Sequence, residues 1–198
     1  MRGTHTAVLV TILILAIDFV GSPLAFGAAG PVGDRLFNNT DNDQPVEVIE
    51  WAMGRFEAAG LDLPSLDFHF HPYEPTLEAC QGHGGYHRVR GDRHQLDICA
   101  VGLRSRRQLT LHELAHAWAY RQLDEADRRA FVEHRHLDGW ADGHLEWEDR
   151  GTEHAAEVIA WGLNARCSAT NMLVGESDGS LADAFKHLTG LDPICEQR

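Results

Sequence analysis

Apolar residues recur every three to four positions at Val46, Ile49, Met53 and Phe56, which predicts a helix over Val46 to Ala59 that Gly60 ends. From Leu66 to His71 the period changes to two. Leu66, Phe68 and Phe70 share one face, and Asp67, His69 and His71 the other, as in a strand with one wet face. Two further strands, Tyr86 to Arg90 and His94 to Val101, are expected on either side of a Gly91-Asp92 turn. Arg104 to Leu123 is the strongest helical stretch. Helices over Asp124 to Leu137, Thr152 to Ala165 and Ser180 to Leu188 follow, with Thr152 as a cap and Gly190 as a stop. Asp138 to Asp149 holds Gly139, Trp140, Gly143 and Trp147 and reads as a loop. A helix, a small mixed or antiparallel sheet and then further helices make an α+β domain.

The ends read differently. An apolar run from Ala7 to Ile17 follows Arg2 and precedes the small residues Gly27, Ala28 and Ala29, the layout of a secretory signal over residues 1–29. The run falls short of the roughly 20 residues of a bilayer span, so stable membrane association is expected only if the segment stays uncleaved. Residues 30–45, rich in Gly, Asn and Asp, read as a flexible lead-in, and residues 46–198 as one domain. Seventeen basic against 30 acidic residues leave a formal charge of -13, which argues against a nucleic-acid partner. The four cysteines all lie beyond the signal. An even count in an exported chain favours two disulfides, and Cys80–Cys99 with Cys167–Cys195 closes two local loops. A secreted, extracytoplasmic monomer is the expectation.

Thirteen histidines are many for such a chain, and two of them fall in Thr110-Leu111-His112-Glu113-Leu114-Ala115-His116. On a helix His112 and His116 lie about 40° apart around the axis, so both rings reach one metal ion. Imidazole is a good zinc ligand. Glu113 lies about 100° from His112, beside the ion and not forced to bind it, where a general base belongs. Leu111, Leu114, Ala115 and Trp118 form the adjoining buried stripe. A third ligand must come from elsewhere. The tenth residue after His112 is Gln122, which excludes the metzincin arrangement. The stretch Thr152 to Trp161 offers Glu153 and Glu157 on one helical face kept slim by Ala156 and Ala160. Two carboxylates on the inner face of an apolar helix need a positive partner, which a metal supplies. Glu153 is the leading ligand, with Glu157, His154 and His144 left open.

His112, Glu113 and His116, with Glu153 and Glu157 downstream, resemble the gluzincin clan of zinc metallopeptidases. The run Glu153, Ala156, Ala160 is also similar to the third-ligand helix of compact regulatory metallopeptidases that cleave repressors. The resemblance spans Thr110 to Leu163 and implies a zincin-like fold. It implies Zn2+ on His112, His116 and Glu153, Glu113 as the catalytic base, and Glu157 orienting the first histidine. Glu157 stands where that clan usually has Asp and the compact group has Asn.

The function expected is peptide-bond hydrolysis of a peptide or protein substrate. The rivals are a zinc-stapled binding module, a zinc amidase acting on cell-wall peptides, and a metal-free, disulfide-braced interaction protein. Tyr86, His87, His94 and Tyr120 are candidates for stabilising an oxyanion. His69 and His71 read as a solvated strand face, and His134 and His136 as surface. Trp118, Trp140, Trp147 and Trp161 are expected to wall the site.

Overall fold

The structure is a computed structural model, and it describes residues 35–38, 44–71, 78–99, 103–167, 173 and 175–196. The expected signal segment lies outside these. The fold is α+β, as the alternation of periods implied. Helix α1 (Gln44–Ala58) ends where Gly60 takes a positive φ of 73° and Leu61 N–H donates to the Phe56 carbonyl at 2.9 Å. A four-stranded sheet runs in the order β1 (Arg35–Asn38), β2 (Leu66–Phe70), β4 (Arg93–Ile98), β3 (Gly85–Arg90). The β1–β2 and β2–β4 pairs are parallel, while β3 pairs antiparallel with β4 and forms the edge. The hairpin turns at Gly91, whose φ is 65°, with Arg90 opposite Arg93.

Strand β1 departs from the sequence reading, which had residues 30–45 as lead-in. A partner strand supplies the ladder hydrogen bonds that Gly- and Asn-rich surroundings would not favour on local grounds. The helices follow: α2 (Leu103–Gln122), α3 (Glu125–His134), α4 (Gly151–Leu163) and α5 (Asp178–Thr189). Asp124 caps α3 in a reciprocal box with Asp127, and Gly190 closes α5 in the left-handed region.

The core lies between the sheet and the α2–α4 pair. Phe56, Phe68, Leu96, Leu111, Leu114 and Ile159 are fully buried there, each worth about 1.5–3 kcal/mol of burial for the larger side chains. Helix α4 is buried without a break from Ala155 to Leu163, so it is the hydrophobic centre of the bundle. Ala156 and Ala160 are fully buried, as a close approach requires. A Cβ on Gly162 would overlap the Phe185 ring, which is how closely α5 packs on α4. Arg55 of α1 reaches the carbonyls of Leu163, Asn164 and Ile194 at 2.5, 3.0 and 3.1 Å, a cation on the negative end of α4.

Both disulfides have the local pairing, Cys80–Cys99 and Cys167–Cys195. Each closes a loop of a size that constrains the unfolded chain by about 3 kcal/mol. Such bonds fit an oxidising environment. Among the described residues no helix is long and apolar enough to cross a membrane.

Candidate metal centre

The site forms where α2 crosses the start of α4. Leu111, Leu114, Ala115 and Trp118 bury one side of α2 and turn His112 and His116 toward α4. Glu153 sits in the first turn of α4, and the preceding loop fixes that turn. Gly151 N–H donates to the Gly139 carbonyl and Thr152 N–H to the Trp140 carbonyl, both at 2.9 Å. These bonds satisfy donors that a helix start leaves free. The cap is therefore loop backbone around Arg150, in place of the Thr152 hydroxyl that the sequence suggested.

His112 Nε2 lies 3.0 Å from His116 Nε2, and each lies 3.2 Å from Glu153 Oε2. Three donors about 2.0–2.1 Å from a tetrahedral ion stand roughly 3.3–3.4 Å apart, so this nearly equilateral set has the size of one face of such a shell. His112, His116 and Glu153 can thus hold a metal ion. Each far nitrogen faces an oxygen. His112 Nδ1 is 3.3 Å from Glu157 Oε1, and His116 Nδ1 is 3.4 Å from Thr152 Oγ1. A proton on each Nδ1 points that ring's Nε2 lone pair at the ion.

Three buried or half-buried carboxylates, Glu113, Glu153 and Glu157, surround the two imidazoles. Burial opposes a charge on His112, but Glu153, Glu157 and Glu113 outweigh it and raise its pKa to about 10. Burial likewise opposes ionisation of Glu153, and the two histidines outweigh it, holding that carboxyl well below the usual range. For Glu113 burial wins over the histidines and pushes the pKa up, the direction a proton acceptor needs. A divalent cation compensates this excess of buried negative charge.

A measurable consequence follows for His112, whose pKa of about 10 makes it a cation at neutral pH before an ion enters. Metal uptake must expel that proton. Binding of a divalent metal near pH 8 is expected to release about one proton from this ring, with apparent affinity rising about tenfold per pH unit. Calorimetry in buffers of different ionisation enthalpy reads it, and uptake with no proton release contradicts it.

The other candidates separate by place. His154 turns from the centre and bonds the Glu148 carbonyl through Nε2 at 2.8 Å, and His144 is exposed in the loop. His87 and His94 lie on the helix-facing side of the hairpin, joined by a 2.8 Å Nε2–Nδ1 hydrogen bond. The His87 ring stacks 6.2 Å from that of His116, and Tyr120 stands edge-on to both strand histidines. Burial, with help from His116 and His94, lowers the His87 pKa to about 3. Tyr86 points to the opposite sheet face, under the Arg88 guanidinium. That face is held by ion pairs: His71 and Arg88 on Asp97, and Arg93 on Asp67. His134 stacks on His187 at 4.3 Å and meets Asp183, while His136 is exposed. Trp118 and Trp161 are buried. Trp140 and Trp147 are half-buried: Trp147 lies 6.5 Å from His112 beside the site, whereas Trp140 packs on Phe131 at the margin of the core. The role of Thr152 beside His116 had no signal in sequence, because its partner is 36 residues away. No protein-family model matches the chain, and neither a curated protein nor a solved structure is detectably similar to it.

Proposed function

We propose that the protein is an exported zinc-dependent hydrolase of peptide bonds. One observation carries this reading: two imidazoles and one carboxylate converge within 3.2 Å, while a further carboxylate, Glu113, is buried beside them and outside the set. A structural staple has no use for that fourth group. When bound, zinc supplies Lewis acidity, which acidifies water and polarises a carbonyl.

The chain's own residues do the rest. Glu113, its basicity raised by burial, takes a proton from the attacking water and returns it to the departing amine. Glu157 and Thr152 hold the two rings in orientation. His87, kept neutral, stacks beside His116 with Tyr120 edge-on to it, and both are assigned to the oxyanion. Export rests on the two disulfides and the N-terminal apolar pattern.

Incubation of the purified, zinc-loaded chain with a peptide library tests the reading. Cleavage that a chelator abolishes and added zinc restores is expected. A zinc-loaded chain that cleaves no library member defeats the proposal.

A further inference from the structure

Gly85 opens the edge strand β3 and is buried directly behind the Glu113 carboxylate. A Cβ on Gly85 would overlap Glu113 Oε1 and stand 2.9 Å from both Cγ and Cδ, inside the roughly 3.5–4.0 Å of ordinary contact. Backbone conformation does not ask for glycine here, because Gly85 is absent from the positive-φ residues while its neighbour Gly82, at 85°, is among them. Space is the remaining reason.

The backbone on both sides of this contact is held in place. Gly85 pairs with Ile98, Cys99 N–H donates to the Gly84 carbonyl at 2.7 Å, and the Cys80–Cys99 disulfide ties the loop below. One residue earlier, a Cβ on Gly84 would come within 3.2 Å of the Leu109 side chain, so the loop already lies tight on α2. Glu113 itself projects from a fully buried stretch of that helix. The soft element is the carboxylate, which a methyl group would push aside.

We propose that Gly85 is a positioning residue: its missing side chain sets where the Glu113 carboxylate stands relative to the ion site. This rests on the reading of Glu113 as the base. Gly85 touches no substrate and acts only through Glu113.

The test is a pair of double-mutant cycles on the full, zinc-loaded chain. Gly85→Ala is expected to keep zinc stoichiometry and KM and to lower kcat by about 10²-fold, the cost of moving a catalytic group by about 1 Å. In a Glu113→Gln background, where the base is already lost, adding Gly85→Ala should change the residual kcat less than about threefold. An unchanged kcat in the single variant, or the same large loss in both backgrounds, overturns the proposal. A second cycle reads melting temperature alone. Gly85→Ala should lower Tm when Glu113 is present and not in a Glu113→Ala background, and equal shifts overturn the contact. A wild type without hydrolysis counts against the proposed function, and the Tm cycle then decides the Gly85 contact by itself.

Discussion

A Glu113→Gln variant is expected to retain its zinc and to lose turnover by about 10²–10⁴-fold. The amide has nearly the same shape as the carboxylate, so the packing against Gly85 and α2 survives. It cannot accept a proton at neutral pH. Because Glu113 lies outside the three converging donors, removing its charge takes no ligand from the ion. The loss should therefore fall on kcat, with little change in KM, as for an interaction made only in the transition state. Folding should not suffer, since burial disfavours the ionised form of this residue. Metal analysis and steady-state kinetics on one cleaved peptide decide the matter, and full turnover in the variant refutes the mechanism.

Glu153→Ala should have the largest effect on the ion itself. Glu153 Oε2 lies 3.2 Å from both imidazole nitrogens. Its removal leaves His112 and His116 nose to nose at 3.0 Å with no anion between them. Zinc affinity is expected to fall by more than about 10²-fold. Glu157→Ala removes an orienting partner of His112 and should cost about 10–100-fold. The order of the two losses is the sharp part of the prediction. Competition against a chromophoric chelator measures it, and a greater loss for Glu157→Ala would reverse the assignment of ligand and orienting group.

Sequence reasoning reached the elements wherever the deciding interactions are local. The alternation from Leu66 to Phe70 and the three-to-four spacing in α1 each report which side faces the core. The Gly91 turn and the Gly60 and Gly190 stops are backbone preferences of single residues. The strand Arg35–Asn38 escaped because its hydrogen bonds come from β2, about 30 residues away, while its own surroundings look like a loop. The Arg55 clamp on α4 escaped for the same reason, with partners more than 100 residues distant.

The His112, Glu113 and His116 cluster was legible without any structure, because a helix alone fixes the angles between positions one and four apart. Sequence also restricted the missing ligand to a few groups downstream. It did not decide among Glu153, His154 and Glu157, which differ by rotations of about 100° or less on one helix. Packing made that choice. The Gly139 and Trp140 carbonyls anchor the first turn of α4, and Ala156 and Ala160 let the helix lie close on α2. That rotation puts Glu153 between the imidazoles, Glu157 behind one of them, and His154 out toward the Glu148 carbonyl. Donor chemistry is a property of residues a turn apart, whereas the closing of a shell depends on how two separate helices are turned against each other.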